Sequence, residues 1–285
     1  MDNRKILILG AQGQLGREFE VVLKKRGFNY TAPKEEKCNI TDLAQLDETI
    51  SAASPDIIIN CAAYNAVDEA EEKSDVAYSV NSEAVSNIAK ICKERDIFLV
   101  HYSSDYVFGG EKQELYAEED EPDPINVYGR SKLQGEERIR EVLDDYLIFR
   151  LSWLIGKGTQ NFLYKLSIWA SKNKVLKIAA DEVSVPTFIA DVIDITLLSL
   201  EKGLKGLYHL TSSGYTSRYE LAKYYVQKMK LDNSVTPVSM RDFKTMAKRP
   251  GFSAMSNKKL SNALNVSIPA WEDGVIKYVL GADVA

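Results

Sequence analysis

An α/β fold, a doubly wound parallel sheet with a smaller interleaved C-terminal domain, is predicted by three observations. Short β-branched runs alternate with stretches of helical period, the signature of βαβ units. The runs are apolar throughout, as strands covered by helices on both faces must be. After Leu151 the pattern breaks into shorter elements, yet one more strand-like run, Leu207 to Thr211, could return to the sheet.

The first strand is Ile6 to Leu9, and a helix follows from near Gln14 to Gly27, where glycine can adopt the left-handed cap conformation. Further strands are expected at Phe28 to Thr31, Ile57 to Asn60, Phe98 to Ser103 and Leu147 to Leu151, with helices over 42–53, 74–95 and 129–143. A loop with Gly156 and Gly158 then leads to helices over 161–172 and 191–201, separated by Val185-Pro186-Thr187. This divides the chain into a domain over 1–151, completed by parts of 185–230, and a second, interleaved domain over 152–285. The charged stretch Ala117 to Asp123, closed by Pro122 and Pro124, reads as a solvated loop.

Composition excludes several classes. Of 285 residues, 45% are apolar and 27% charged, which describes a globular chain. The net charge of −5 leaves no positive field for a nucleic acid backbone or an anionic membrane. Cys38, Cys61 and Cys92 lack CxxC spacing and are odd in number, which argues against a disulfide framework or a Cys-based zinc site. No signal-peptide pattern precedes the first strand and no run reaches membrane-spanning length, so a cytoplasmic protein is expected. No metal site is assigned, and either a monomer or a homodimer fits.

The first chemical signal is Gly10-Ala-Gln-Gly13-Gln-Leu-Gly16, placed where a strand must turn into a helix. Glycines there permit a tight turn, let the backbone approach a pyrophosphate and let helix pack on strand, while the helix N-terminus offers N–H groups to phosphate. The strand–turn–helix context makes this a Rossmann-type dinucleotide site, although glycines also serve turns that bind nothing. The GxxGxxG spacing resembles that of the extended short-chain dehydrogenases. A second signal is Asn60-Cys61-Ala62-Ala63, whose small side chains would leave room for a cofactor across the strand ends, or equally for a closely packed helix.

Tyr-x-x-x-Lys occurs at Tyr30/Lys34, Tyr128/Lys132, Tyr219/Lys223 and Tyr224/Lys228, so spacing alone does not choose a pair. Residues i and i+4 share a helix face. Only Tyr128/Lys132 follows the strand that ends in His101-Tyr-Ser-Ser104-Asp105 at a distance suited to a loop and a helix start. The chemistry fits: hydride transfer to a ketone makes an alkoxide that needs a proton donor, here Tyr128. Lys132 would favour its phenolate and bind ribose hydroxyls, and Ser104 would donate a hydrogen bond to the carbonyl. The hydride must come from a nicotinamide.

Taken in order, Asn60-Cys-Ala-Ala-Tyr-Asn-Ala-Val-Asp68, Tyr102-Ser-Ser-Asp-Tyr-Val-Phe108, Asn126-Val-Tyr-Gly-Arg-Ser-Lys132, Phe149-Arg-Leu-Ser-Trp153 and Val185-Pro-Thr187 resemble the dTDP-4-dehydrorhamnose reductase family along nearly the whole chain. The resemblance implies reduction of a nucleotide-linked 4-keto sugar. It implies cofactor contacts from Gly13, Gln14, Leu15, Asn39, Ile40, Ala63, Tyr64 and Asn65. It further implies sugar contacts from Ser104 and Asp105, packing of Trp153 on the sugar ring, and an ordering role for Asn81 on the active-site backbone. Departures from the family pattern are Asn39 where Asp is common, Asn65 and Ser104 where Thr is common, and Cys61 where Ala is common. Ser104 keeps the hydroxyl. Asn39 removes a carboxylate near the expected adenosine.

Two other classes compete. An epimerase or 4,6-dehydratase would share the turn and the Tyr/Lys pair, but Ser104-Asp105-Tyr106 lacks the Asp-Glu dipeptide of the dehydratases. A catalytically silent NADP-binding subunit is disfavoured by the intact Ser104, Tyr128 and Lys132. For the cofactor, a carboxylate after the second strand would select NAD. Here the first charged residue is Lys34, with Glu35 and Glu36 following, so NADPH is expected with Lys34 meeting its 2′-phosphate and NADH as a weaker alternative.

Overall fold

The computed structural model describes residues 4–281. Strand β1 (Ile6–Leu9), helix α1 (Gln14–Lys25), β2 (Tyr30–Thr31), α2 (Leu43–Ala53) and β3 (Ile57–Asn60) open the chain. Then come α3 (Val67–Glu72), α4 (Ser74–Tyr78), a π-type turn over Ser79–Glu83, α5 (Ala84–Glu94), β4 (Phe98–Ser104), α6 (Val127–Val142) and β5 (Tyr146–Leu151). Beyond them lie β6 (Leu154–Ile155), α7 (Phe162–Lys172), β7 (Val175–Ala179), β8 (Val183–Ser184), β9 (Thr187–Phe188), α8 (Ile189–Glu201) and β10 (Gly206–His209). The last elements are β11 (Thr216–Ser217), α9 (Arg218–Lys228), β12 (Ser234–Val238), α10 (Lys258–Leu264) and α11 (Trp271–Val279).

The main sheet runs β2-β1-β3-β4-β5-β10, every pair parallel. Its alternation explains the uniformly apolar strands. Ile6, Ile8, Val100, Tyr102 and Phe149 face one core with Phe19 of α1 and Ile193 of α8. Leu7, Leu9, Ile58, Leu99 and Ile148 face the other, with Ile50 of α2, Ile88 of α5 and Ile139 of α6. The apolar run beyond residue 205 therefore does return to the sheet, as its sixth strand. A separate core joins α7, α9 and α11 through Leu166, Tyr225 and Trp271.

Four local readings change. The second strand shrinks to Tyr30–Thr31, because Phe28 closes α1 through its N–H on the Leu23 carbonyl. The stretch 74–95 is not one helix: the π-type turn interrupts it, and Asn81 sits in that turn. Helix α6 starts two residues earlier than expected, with the Asn126 side chain accepting from Gly129 N–H at 2.7 Å. The stretch 117–123 is not wholly solvated, since Glu118 accepts from the His209 N–H at 2.8 Å and Asp120 from the Ala117 N–H.

Candidate active site

In an open parallel sheet a ligand crevice forms outside the strand ends where the strand order reverses, here between β1 and β3. A cleft of about 640 Å³ lies at that point. Gly10 has φ +72°, and a Cβ on it would come within 2.5 Å of the Ala62 nitrogen, so the two strand-end turns meet backbone to backbone. A Cβ on Gly16 would sit 2.4 Å from the Gly10 carbonyl oxygen, which makes Gly16 a packing residue rather than part of the wall. No side chain caps α1 at Gly13, and the first turn of that helix, Gln14 and Leu15, opens on the cleft with its N–H groups available to an anion.

Of the residues expected at the cofactor, Gly10, Gly13, Gln14, Leu15, Asn39, Ile40, Ala62, Ala63, Tyr64 and Asn65 all line the cleft. Lys34 does not: it is exposed outside the wall, while Pro33 and Glu35 line it. Gln12, which the sequence reading did not single out, holds that segment by accepting the Glu35 N–H at 2.7 Å. The fit to a dinucleotide rests on buried polar atoms as well as on glycines. Gln14 Nε2, Ser103 Oγ and Trp153 Nε1 are buried on the cleft wall without a hydrogen-bond partner, a cost of about 1–3 kcal/mol each that a ligand or water would relieve. Asn81 Oδ1 accepts the Tyr64 N–H at 2.8 Å, and its amide donates to the Tyr64 carbonyl and to Ser131 Oγ. It thereby pins the segment after β3 to α6. Gly135 makes that approach feasible, because a Cβ there would meet the Asn81 carbonyl oxygen at 2.2 Å.

At the inner end of the cleft, α6 presents Tyr128 in its first turn and Lys132 one turn later on the same face. Tyr128 donates to Asn65 Oδ1 at 3.3 Å, and Lys132 Nζ donates to the Tyr102 carbonyl at 2.6 Å. Burial pushes the Tyr128 phenol up to about 12, opposed by the Ser104 hydroxyl and reinforced by Asp105. Burial also draws Lys132 down to about 8, with Glu136 working against it. The sequence reading expected Lys132 to favour the phenolate. The ammonium donates to a backbone carbonyl, and burial outweighs the other influences on the phenol. The rival pairs on α9 lie outside the cleft wall, Lys223 5.0 Å from the Tyr219 ring and Lys228 4.9 Å from that of Tyr224.

Ser104 ends β4 and lines the cleft beside Asp105 and Trp153. Its hydroxyl donates to Asp105 Oδ1 at 3.1 Å and accepts from the Tyr106 N–H at 3.1 Å. Trp153 adopts φ +35°, an uncommon value for a side chain of that size. The Arg218 guanidinium lies 3.6 Å from its ring and covers one indole face, while Trp153 also lines the cleft. Arg218 in turn reaches Glu182 at 3.5 Å, and Tyr106 donates to the same carboxylate. Arg218 and Glu182 were not anticipated, because no local pattern marks a residue that acts through a partner 65 positions away in the chain.

Similarity to known proteins now bears on this geometry. Residues 4–282 match the family model described as the RmlD substrate binding domain. A dTDP-4-dehydrorhamnose reductase of Burkholderia thailandensis is 33% identical over 95% of this chain and 96% of its own length. The chain belongs to the dTDP-4-dehydrorhamnose reductase family. A crystal structure of such a reductase from Bacillus anthracis, in complex with NADP, superposes with a TM-score of 0.94 at 33% identity, over 99% of this chain and all of that one. The spore coat polysaccharide biosynthesis protein SpsK of Bacillus subtilis is 31% identical over 96% of both chains. For a member of the dTDP-4-dehydrorhamnose reductase family, the chain retains a hydroxyl at Ser104 as well as Tyr128 and Lys132 in one cleft.

Proposed function

We propose that this enzyme uses NADPH to reduce the 4-keto group of dTDP-4-dehydro-6-deoxy-L-mannose, giving dTDP-L-rhamnose. One observation carries the reading: Ser104, Tyr128, Lys132 and Trp153 meet in a single cleft whose other end is the glycine turn. Residues 1–151, completed by parts of 185–230, would hold the cofactor, and residues from 152 onward would hold the sugar nucleotide.

When bound, NADPH supplies the hydride. The protein's own task is to place the ketone and provide a proton. Tyr128 suits reduction because a phenol raised to about 12 keeps its proton at neutral pH and is still more acidic than the alcohol formed when it protonates the alkoxide. Lys132, lowered to about 8, stays largely an ammonium at neutral pH. One of its protons is held by the Tyr102 carbonyl, and the others would hold ribose hydroxyls. Ser104 would donate to the carbonyl oxygen as negative charge develops. Trp153, on the cleft wall, would pack on the sugar and donate its unpartnered Nε1–H to a hydroxyl.

The dehydratase reading loses ground because Asp105, the carboxylate next to Ser104, is committed to three serine hydroxyls. The test is a spectrophotometric assay of NADPH oxidation with the dTDP-linked 4-keto sugar, followed by identification of the product. Stoichiometric consumption with formation of dTDP-L-rhamnose is expected. Turnover without net NADPH loss would point instead to an epimerase or dehydratase.

A further inference from the structure

Asp105 was expected to touch the sugar. It is 3% exposed, and its two oxygens are engaged by three serine hydroxyls, one from the adjacent Ser104 and two from distant segments. Oδ1 accepts from Ser104 at 3.1 Å, at the end of β4. Oδ2 accepts from Ser184 of β8 at 2.8 Å and from Ser253, in the segment before α10, at 2.6 Å. The same stretch around Ser253 is fastened again upstream, where Asp68 accepts from the Met246 and Ala247 N–H groups and pairs with Arg249 at 2.8 Å. It is fastened once more where Val183 and Ser253 exchange backbone hydrogen bonds with Gly251 and Val183.

We propose that Asp105 is a positioning residue: held by Ser184 and Ser253, it fixes the Ser104 hydroxyl and so couples the seating of the C-terminal segments to the group that meets the substrate carbonyl. A serine hydroxyl has one proton. In the arrangement described, that proton points at Asp105 Oδ1, and the Ser104 hydroxyl must swing it toward the carbonyl as charge develops there. The swing removes one hydrogen bond from a buried carboxylate. Ser184 and Ser253 keep the carboxylate satisfied on its other oxygen, so the swing leaves no bare buried charge. This inference rests on the reductase reading, in which Ser104 faces a ketone.

The charge on Asp105 matters, because hydrogen bonds to an ionised carboxylate are roughly twice as strong as neutral ones. Burial raises Asp105 to about 6, the hydroxyls of Ser253, Ser184 and Ser104 oppose the rise, and Glu182 adds to it. The titratable groups that face it are Glu182 beside β8, Tyr106 directly after it and Tyr128 on α6, while Arg218 and Arg249 face Tyr106 and Glu182. Turnover should therefore fall as pH drops through about 6, where the neutral carboxyl loosens its hold on all three serines.

The test compares pH profiles of kcat for the full-length wild type, Asp105→Asn, Ser184→Ala and Ser253→Ala, with NADPH and the dTDP-linked 4-keto sugar. Asp105→Asn should lose about tenfold in kcat and lack the acid limb. Ser184→Ala and Ser253→Ala should keep the limb but move it to higher pH, since each removes a donor that favours the ionised form. Melting temperature gives a readout free of turnover. A carboxyl raised on folding makes the folded state bind more protons than the unfolded one between about 4 and about 6, so its charge weakens the fold above that window. Asp105→Asn should then melt no lower than wild type at neutral pH. An unmoved acid limb in all variants, or losses of activity that simply track losses of melting temperature, would overturn the proposal. Failure of the wild type to consume NADPH at all would instead defeat the reductase reading, and this inference with it.

Discussion

The two ends of the cleft are built by different means. At the cofactor end, the wall comes from contiguous runs, 10–15 after β1 and 60–65 after β3, and its shape is set by backbone: a left-handed Gly10, a helix start without a side-chain cap and small residues on the facing turn. At the substrate end, the working groups are side chains brought together across the fold. Asp105 meets Ser184 and Ser253 at sequence separations of 79 and 148, and Trp153 lies under Arg218. Backbone-built sites tolerate few alternatives, because a Cβ at the wrong place collides with main chain. Side-chain sites are held by individually modest bonds, each removable without loss of the fold.

That contrast predicts the largest single effect inside the substrate end. Tyr128→Phe removes the phenolic proton and leaves the ring, its edge contact with Tyr106 and helix α6 in place. Turnover should fall by about 10²-fold or more, the range of general acid catalysis, while cofactor affinity measured by fluorescence quenching changes little. A variant that turns over near the wild-type rate would remove Tyr128 from the chemistry.

The same contrast explains what could be read from the sequence. The sheet, the glycine turn and the Tyr128/Lys132 pair were legible because each is a local pattern with a physical period: alternating apolar runs, glycine before a helix, two residues one helical turn apart. The β10 strand was legible for the same reason. Asn81 was recognisable as functional only through resemblance, since its role depends on a π-type turn that no propensity announces. Ser184 and Ser253, the distant serines on Asp105, were invisible, because serine is common on any surface and its partner is fixed by tertiary packing. Lys34 was misplaced for a related reason. Order along the chain says which residue comes first after a strand, but the turn over 34–37 decides which one faces the cleft.

An intermediate effect is expected at Trp153. Its indole is half-buried, packed against the core of the second half and covered by Arg218 on one face. Trp153→Ala loses the proposed packing and Nε1–H donation toward the sugar, so the substrate KM should rise by about tenfold, near 1.4 kcal/mol. The loss of melting temperature should be modest, because the indole is only half-buried. A collapse of thermal stability with an unchanged KM in the surviving protein would make Trp153 a core residue alone.

The smallest effect tests whether the cofactor end is really governed by backbone rather than by charged side chains. Lys34 is exposed and outside the wall, so any pull on a 2′-phosphate acts through solvent, where it is screened over about 8 Å at physiological ionic strength. Glu35 lines the cleft beside Pro33, held there by its N–H on Gln12. Its carboxylate would repel a 2′-phosphate and accept a bond from a free 2′-hydroxyl. The two residues therefore act in opposite senses on a 2′-phosphate. Lys34→Ala should raise the NADPH KM by only about two- to threefold at low salt, less as salt is added, and leave the NADH KM unchanged. Glu35→Gln should act in the opposite direction, lowering the NADPH KM by a few-fold and raising that for NADH. Paired kinetics with both cofactors, at two salt concentrations, decide the matter. A large, salt-insensitive loss in Lys34→Ala would mean that the lysine turns inward to contact the phosphate, and that a charged side chain, not the backbone frame, sets cofactor choice at this end of the cleft.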